Sequence, residues 1–424
     1  MDLRELSDLE PCRASAGCRS RTTEGTYSRK RERARLGARH LAPDQSHSDS
    51  DILEPSKESF AMADALERTS RVWDRANAVE GASRAGVYWL ENAEMQRYAN
   101  RRITGDPELN WISYCLSTHF SGRLPLQRCL SLACGAGRLE RSLGQLGAFR
   151  ECDAYDIARE SIALAKRLAA EEGLHGINYE VRNINELCLH ESSYDAVFID
   201  SGAHHFSCLE AVFGSTRRAL RPGGLLVMNE YVGPNRFQFP PGQKEIANSC
   251  LNLIPMKYRT LRSNPTSVGT IASGHADRVD PLHLASRIAD KLRDRNLISS
   301  LKRRFKLHRS RRSKGPQFKM SVDFPTARDV EAFDPSEAVR SQDIIPVLRN
   351  EFEIIEMKGW GGNILQFLLV DIAGNFTDDD PSALSLLHML ENIEETLVDC
   401  RHFESDFAFI VARAKRSPEA AERR

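Results

Sequence analysis

Two adjacent histidines and a short acidic loop are the residues of this chain best suited to proton transfer. His204 and His205 follow an apolar stretch, and an imidazole can take up a proton near neutral pH. Glu230 and Tyr231 follow a second apolar stretch, and we predict Glu230 as a base or orienting group and Tyr231 as a donor. The histidines could instead cap a helix or bridge a loop, so the four predicted catalytic residues compete with a structural interpretation.

The loop that follows Glu230 has the composition of a substrate pocket. It runs Asn229-Glu-Tyr-Val-Gly-Pro-Asn-Arg-Phe-Gln-Phe, with charged and phenolic groups beside two phenylalanines. We predict that Arg236 holds an anionic group of a substrate, although Glu230 and Arg236 could instead pair and fix the loop. Trp360 precedes a Gly-Gly pair in a predicted loop after the sixth strand, and it is predicted as a second substrate contact.

The two histidines do not predict a metal site. Adjacent side chains cannot easily reach one ion together, and no nearby Cys or Asp completes a recognised ligand spacing with His204 and His205. The prediction is therefore a site without a bound metal.

A glycine turn nearer the N-terminus has the form of a nucleotide-binding loop. Residues 129–133 are an apolar run typical of a buried strand, and Gly135 and Gly137 then let a ligand approach the main chain before a helix begins. Asp156 follows by about 20 positions, where doubly wound folds place the carboxylate that holds ribose hydroxyls. Glu140 stands in the place of the third glycine of the dinucleotide fingerprint, so we predict a nucleoside ligand and disfavour NAD and FAD.

These residues resemble the first motif of the class I S-adenosylmethionine-dependent methyltransferases. That motif alternates an acidic residue and three glycines with other residues, and Ser131 and Ala133 stand here in the places of the acid and the first glycine. The alanine should fit if the backbone there is extended, whereas the lost acid removes one anchor for the ligand's amino group. Three later stretches look like the family's third, fourth and fifth strands: 179–187, 194–201 and 220–230.

The resemblance implies a fold, a cofactor and a set of contacts. The expected fold is an α/β Rossmann-like sheet of seven strands, six parallel and one antiparallel, with a helical N-terminal cap and helical insertions. The expected cofactor is S-adenosyl-L-methionine, with Asp156 on the ribose and the amide oxygen of Asn183 on the adenine amino group. The residues expected to bind it are Ala133, Gly135, Gly137, Asp156, Ile157, Asn183, Ile184, Asp200 and Ser201.

Composition and motif positions divide the chain into six segments. They are a disordered N-terminal extension (1–61), a helical cap (62–125), a cofactor-binding core (126–261), a basic insertion (262–326), a C-terminal part of the core with lid helices (327–415) and a tail (416–424). Met62 opens the globular-looking sequence, so translation is expected to begin there. Within the insertion, an amphipathic helix is predicted at 281–301, before a basic run that has no acidic residue.

Aromatic residues of the cap have two competing interpretations. Tyr88, Trp89 or Tyr98 could cover the positively charged sulfonium of the cofactor, or could simply pack the cap on the sheet. The packing interpretation is favoured.

The stretch after Phe333 has a helix-start pattern. Asp334 as an N-cap and Pro335 in the first turn predict a helix. Its polar residues Asp334, Glu337 and Arg340 are predicted to face the pocket.

Charge and cysteine usage restrict the partners and the compartment. Lys plus Arg equals Asp plus Glu at 59 each, so the overall charge does not favour nucleic acid or an anionic membrane. The ten cysteines form no C-x-x-C pair, and several lie in apolar stretches, which is typical of a reducing, cytoplasmic compartment. No apolar run approaches ~18 residues, so no membrane span is predicted.

The sequence therefore predicts transfer of a methyl group from S-adenosylmethionine to an oxygen or nitrogen of a small molecule or glycan. The Val-Gly-Pro-x-Arg-Phe-Gln loop, similar to one in bacterial methyltransferases of unassigned substrate, favours that acceptor class. One alternative is an RNA methyltransferase that uses the basic insertion, but few aromatic residues there could stack on bases, which disfavours nucleic acid. A second alternative, motivated by Ser131 and Ala133, is a non-catalytic, methyltransferase-like binding protein.

Overall fold

The computed structural model describes residues 67–74, 88–262 and 316–415, all of which belong to the unit Asp64–Arg424. The predicted N-terminal extension, the predicted helix and basic run of the insertion, and the C-terminal tail lie outside the described residues.

Seven strands form one mixed sheet. They are β1 (Leu126–Leu132), β2 (Phe149–Asp156), β3 (Ile177–Val181), β4 (Tyr194–Asp200), β5 (Leu220–Tyr231), β6 (Phe352–Gly361) and β7 (Phe407–Ala414). Their order is β3-β2-β1-β4-β5-β7-β6, and β7 runs antiparallel to both of its neighbours while the other pairs are parallel. The predicted sheet of six parallel strands and one antiparallel strand is confirmed.

Helices cover both faces of this sheet. In the described part of the chain they are α1 (67–74), α2 (Ala93–Thr104), α3 (Trp111–His119), α4 (Arg138–Gln145), α5 (Arg159–Glu171), α6 (Leu209–Ala219), α7 (Pro241–Leu253), α8 (Ala327–Phe333), α9 (Ile344–Glu351), α10 (Leu365–Leu369) and α11 (Pro381–Asp399). Side chains of a strand alternate between faces. Cys129 accordingly packs in the cluster of α2, α4 and α11, while Leu130 and Leu132 pack in the opposite cluster with α6 and α9.

The register of the parallel strands brings their carboxyl ends to one edge. Leu132 pairs with both Tyr155 and Ile199, and Asp200 pairs with Asn229. The loops that follow β1, β2, β4 and β5 therefore lie side by side, at the edge where open α/β sheets bind ligands.

The predicted lid helices pack against the N-terminal helices. Tyr98 of α2 donates from its hydroxyl to Glu394 of α11 at 3.0 Å, and Arg101 of α2 pairs with Glu391 at 3.0 Å. A lid role for α10 and α11 stays a prediction. None of the described helices has the length and apolar character needed to cross a bilayer.

Two predicted local elements are wrong. Trp360 lies in β6 rather than in a loop, because β6 keeps pairing with β7 as far as Gly361. The stretch after Phe333 is a series of turns rather than a helix, since α8 ends at Phe333. The carboxylate of Asp334 accepts from the backbone N–H of Ser336 at 2.8 Å, so it caps a turn there.

Backbone hydrogen bonds join the chain just before the insertion to the part of the insertion that the structure describes. The N–H of Leu261 donates to the carbonyl of Gln317 at 2.7 Å, and the N–H of Lys319 donates to the carbonyl of Arg259 at 2.8 Å. Lys319 is buried, and its Nζ donates to the carbonyls of Phe367 and Val370 at 2.7 and 2.8 Å. This lysine therefore ties the returning chain to α10.

Replacing Lys319 with methionine is expected to change how stability depends on pH. Burial lowers the pKa of Lys319 from 10.5 to about 8, against the charges of Asp371 and Asp323. Between about pH 8 and 10.5 the unfolded chain binds more protons than the folded chain, so the native protein gains stability over the variant as pH rises. The gain is up to about 3 kcal/mol, at about 1.4 kcal/mol for each pKa unit.

Urea unfolding of both proteins at pH 7.5 and at pH 10.5 measures this difference. Lys358→Met, in β6 with a half-exposed side chain, is the control and should show the same difference from the native protein at both pH values. An equally constant difference for Lys319→Met would contradict the prediction.

Candidate functional site

The turn after β1 and the end of β2 bring backbone N–H groups and a carboxylate together. Gly135 and Gly137 adopt left-handed conformations, with φ of 52° and 75°. Asp156 accepts from the N–H of Gly135 at 2.9 Å and from the N–H of Ala158 at 2.8 Å. Burial raises the pKa of Asp156, against these backbone hydrogen bonds. Each carboxylate oxygen has two lone pairs, so acceptor capacity remains for the hydroxyls of a ligand.

The alanine in the place of the first motif glycine does not have the expected conformation. Ala133 has a φ of 57°, which is left-handed rather than extended, so the condition under which the alanine was expected to fit is not met. Its methyl group faces Gly202 in the loop after β4, where an added Cβ would lie 2.5 Å from the Cβ of Ala133. The glycine in the loop after β4 therefore leaves the space that the methyl group of Ala133 occupies.

Gly202→Ala is expected to lower the free energy of unfolding by roughly 1–3 kcal/mol, because its methyl group would overlap that of Ala133. In an Ala133→Gly background the overlap is gone, and the cost of the same substitution should fall by at least half. Urea unfolding of the four proteins measures this coupling. Gly214→Ala in α6 is the control, since the added methyl group has an ordinary contact of 3.7 Å with Arg218. Equal costs of Gly202→Ala in both backgrounds would contradict this account.

Glu230, near the end of β5, and His204, in the loop that follows β4, form a buried pair. Glu230 is fully buried, and one of its oxygens accepts from the N–H groups of Gly202 and Ala203 at 2.8 and 2.6 Å. Its other oxygen accepts from the N–H of Tyr231 at 2.8 Å and contacts Nδ1 of His204. Glu230 therefore fixes both the loop after β4 and the orientation of the imidazole.

A second carboxylate faces both histidines. Oxygens of Glu337 lie 3.5 Å from Nε2 of His204 and 4.0 Å from Nε2 of His205. One ligand atom from each of these three residues lies within 4.8 Å of the others. The premise that adjacent histidines cannot approach one ion together does not hold here, because the 3-10 turn Ala203–His205 brings the two ring centroids to 4.2 Å.

The charges of this cluster shift its pKa values in different directions. Burial acts to lower the pKa of His204. The charge of Glu230, the hydrogen bond between His204 and Glu230, and the charge of Glu337 act in the opposite direction. Together they outweigh burial and raise the pKa of His204 to about 9. Burial and the charge of His204 lower the pKa of His205 to about 3. Burial raises the pKa of Glu337 to about 7, against the charge of His204. The cluster can therefore hold and move protons near neutral pH.

Helix α1 bridges the β2 loop and the histidine cluster. Ser70 donates to the carbonyl of Ile157 at 3.2 Å, and Thr69 donates to Asp334 at 2.8 Å. Trp73 packs edge-on against His205 with centroids 5.2 Å apart, and its indole N–H donates to Asp334 at 3.0 Å. Sequence reasoning did not assign these contacts, because a short run of helix-forming residues carries no signal for its packing partner.

Tyr231 and Arg236, predicted as a donor and a substrate contact, both donate hydrogen bonds to backbone carbonyls of the protein. Tyr231 donates to the carbonyl of Pro234 at 3.0 Å, and its ring lies edge-on to His204 with centroids 6.0 Å apart. Arg236 donates to the carbonyls of Pro335 and Glu337 at 2.6 and 2.7 Å rather than pairing with Glu230. Arg236 therefore shapes the turn that carries Glu337, and its role toward a substrate anion stays a prediction.

Trp360 is nearly fully buried, at 2% exposed, and it stacks on Trp89 with centroids 5.8 Å apart. Its indole N–H donates to Asn229, and Asn229 in turn donates to Asp200 at 3.1 Å. Contact of Trp360 with a substrate stays a prediction, and the described contacts give it a role in positioning Asp200.

The remaining predicted cofactor residues lie at the ends of β3 and β4. Asn183 accepts from the N–H of Asn185 at 3.2 Å and caps the turn that contains the buried Ile184. Ser201 has a left-handed φ of 54°, and its N–H donates to the carbonyl of Asn229 at 2.8 Å. Their contacts with a cofactor stay predictions.

The three aromatic residues of the cap separate into two groups. Trp89 and Tyr98 are fully buried, so both pack the helices on the sheet. Tyr88 is half-buried, and burial raises its pKa to about 12 together with the charges of Glu337 and Asp200, against the hydrogen bond with Trp89 and the charge of Arg138. Tyr88 is thus the one of the three with charged site residues around it.

The family model for a methyltransferase domain matches residues 130–228, which hold the end of β1, all of β2, β3 and β4, and most of β5. The chain contains a class I methyltransferase domain. This domain includes the glycine turn, Asp156 and both histidines, and its match ends at Met228, just before the predicted pocket loop.

Three curated proteins that are methyltransferases by name match part of this chain. The ubiquinone biosynthesis O-methyltransferase of Xanthomonas oryzae pv. oryzae is 31% identical over 26% of this chain and 46% of its own length. The demethylmenaquinone methyltransferase of Thermus thermophilus is 32% identical over 33% of this chain and 62% of its own length. The N-terminal Xaa-Pro-Lys N-methyltransferase 1 of Rattus norvegicus is 33% identical over 24% of this chain and 46% of its own length.

The chain thus spans about half the length of the first of these relatives and less than two thirds of each of them. Their names state different acceptors, so the shared methyltransferase domain does not by itself define an acceptor. Glu230, Arg236 and Glu337 lie outside the matched segment.

Proposed function

We propose that this chain is an S-adenosylmethionine-dependent methyltransferase that acts on an oxygen or nitrogen of a small molecule or glycan. The observation that supports this most directly is the bridge that α1 makes between two sites. Its Ser70 bonds to Ile157 beside Asp156, and its Thr69 bonds to Asp334 beside His205. The proposed cofactor site and the proton-accepting cluster are therefore both in contact with the same helix.

In this proposal the cofactor lies over Gly135 and Gly137. Asp156 holds the ribose hydroxyls with the acceptor capacity that its two backbone hydrogen bonds leave, and Asn183 contacts the adenine. The cofactor would supply a methyl group that is already activated by the positive charge on sulfur. The lost motif acid at Ser131 leaves the glycine turn and Asp156 as the principal anchors.

The chain's own task is to orient the acceptor and to take its proton. Transfer would form the bond from the acceptor atom to the methyl carbon and break the carbon–sulfur bond, and the acceptor's proton would pass to the cluster. Glu337, whose pKa burial raises to about 7, is matched to accept it near neutral pH. His204, protonated beside Glu230, stabilises negative charge there, and Tyr231 packs against its ring.

The acceptor class and the location are further parts of the proposal. Two of the relatives carry ubiquinone biosynthesis and demethylmenaquinone in their names, which supports a small-molecule acceptor. The described cysteines are free thiols, which supports a reducing, cytoplasmic location.

A screen with S-adenosylmethionine labelled in the methyl group tests the proposal. The full chain would be incubated with phenols, sugar hydroxyls, amines and transfer RNA, and the label would be followed into each class. We expect label in a small-molecule hydroxyl or amine, and none with Glu337→Gln, which keeps the shape of the side chain. Label in RNA alone, or retention of cofactor without transfer to any class, would contradict the proposed function.

A further inference from the structure

We propose that His204, His205 and Glu337 bind one divalent transition-metal ion of the Zn²⁺ class, and that this ion holds an oxygen of the methyl acceptor. The binding of the ion is independent of the proposed methyl transfer, whereas its role toward the acceptor rests on that function. Two imidazoles and one carboxylate are a ligand set that Zn²⁺ and related ions favour.

The ligand atoms converge at nearly the required separation. Two ligands that each lie about 2.1 Å from one ion in tetrahedral geometry are about 3.4 Å apart. Glu337 lies 3.5 Å from Nε2 of His204 and 4.0 Å from Nε2 of His205. Small side-chain movements would therefore bring all three onto one ion.

The hydrogen bonds of His205 leave its Nε2 as the ligand atom. The hydroxyl of Ser336 donates to Asp334 at 2.8 Å, so the same oxygen accepts from Nδ1–H of His205 at 2.9 Å. A neutral imidazole with its proton on Nδ1 carries a lone pair on Nε2. That Nε2 atom is buried, and within the described residues it has no hydrogen-bond partner. A bound cation would satisfy this buried lone pair.

His204 is held in the same way by Glu230. Its Nδ1 contacts the carboxylate of Glu230, which leaves Nε2 directed at Glu337. Metal-binding histidines usually donate their second ring N–H to a carboxylate or other oxygen, which fixes the tautomer and the ring orientation. Both imidazoles of this cluster have such a partner, which is Glu230 for one and Ser336 for the other.

The charge of the cluster also calls for a cation. Glu230, Asp334 and Glu337 are buried carboxylates, and Arg236 is the guanidinium that faces them across the turn. Binding of an ion to Nε2 of His204 would displace a ring proton, and with both histidines neutral the cluster then has a formal charge of about −2, which needs compensation. One divalent ion supplies that charge.

Three protein ligands are typical of zinc sites that keep a position open for water or substrate. With the ion bound, Glu337 would be a ligand rather than the base, and an acceptor hydroxyl in the open position would be held beside the cofactor edge and would lose its proton to water more readily. The expected acceptors are therefore molecules with an oxygen that can bind the ion, at or next to the methylated atom.

A second group of potential ligands provides a matched control. Glu94, His388 and Glu391 also have ligand atoms within 4.8 Å of one another. There, however, Glu94 pairs with Arg97 at 2.7 Å and Glu391 pairs with Arg101 at 3.0 Å, and His388 is exposed. Arginines already compensate these carboxylates, so we expect no tight ion at this group.

Cobalt titration of the full, chelator-treated chain tests the proposal. We expect one Co²⁺ per chain with visible absorption bands of a four- or five-coordinate ion, and competition by Zn²⁺. Glu337→Gln and His205→Gln should each weaken binding by at least ~100-fold. His388→Ala should bind Co²⁺ like the native protein. Circular dichroism of each variant checks that it folds.

No bound Co²⁺ in the native chain, unchanged binding by folded Glu337→Gln, or loss of binding in His388→Ala would overturn the metal site. S-adenosylmethionine binding is measured on the same chelator-treated samples. Cofactor binding without metal binding would refute this inference alone, whereas metal binding without cofactor binding would refute the proposed function alone.

Discussion

Glu230→Gln is expected to lower the turnover number of methyl transfer at least ~100-fold and to change the dissociation constant of S-adenosylmethionine less than threefold. Both oxygens of Glu230 accept hydrogen bonds: one from the N–H groups of Gly202 and Ala203, the other from the N–H of Tyr231 and the imidazole of His204. Glutamine keeps one acceptor and replaces the other by an NH₂ group that must face donors. The histidine and its loop would therefore lose their orientation while the glycine turn keeps its own.

Steady-state kinetics with an acceptor from the screen, combined with calorimetry for the cofactor, separate these two effects. Glu353→Gln, an exposed glutamate of β6 that pairs with Arg413, is the matched control and should behave like the native protein. A turnover number within threefold of the native value for folded Glu230→Gln would show that the pair of Glu230 and His204 has no part in the chemistry.

Glu394→Ala is expected to lower the free energy of unfolding by about 3–5 kcal/mol. Glu394 is fully buried in α11, and it accepts from the N–H groups of Gly362, Ile364 and Leu365 at 2.8, 2.7 and 3.0 Å and from the hydroxyl of Tyr98. Alanine would leave these donors buried without an acceptor and would open a cavity as well.

The shift of the urea midpoint measures this loss. Glu395→Ala is the matched control, because Glu395 is the next residue of the same helix, is more exposed and pairs with Arg101. We expect a change below about 1 kcal/mol for this control. Equal losses in the two variants would show that Glu394 does not join α11 to the end of β6.

The sheet could be predicted from the sequence because each of its strands carries a local signal. The run that contains β1 is apolar and ends in a glycine turn, and β4 and β5 have the same form. The helix predicted after Phe333 is absent because contacts that are distant in the sequence use its start residue. Asp334 and Pro335 have the pattern of a helix start, but Asp334 instead accepts from Thr69 and Trp73 of α1 and from Ser336. Tertiary contacts outweighed a helix-start propensity there.

The candidate site was predicted in part for the same reason. His204 and His205 closely follow β4 and Glu230 lies at the end of β5, so their position at the carboxyl edge could be inferred. The convergence of Glu337 on the histidines depends on Arg236, which binds the carbonyls of a turn about 100 residues further along the chain. Ala133 is a case in which a signal was present, because a glycine in the family motif already indicates a left-handed backbone.

Calorimetry of S-adenosylmethionine and S-adenosylhomocysteine binding to the full chain tests the central claim most directly. The account predicts a micromolar dissociation constant, about −8 kcal/mol. Asp156→Ala should weaken it at least ~100-fold through loss of charged hydrogen bonds to the ribose, while the remote, exposed Asp399→Ala should not. No binding of either ligand by the native chain, or equal binding by Asp156→Ala, would contradict it.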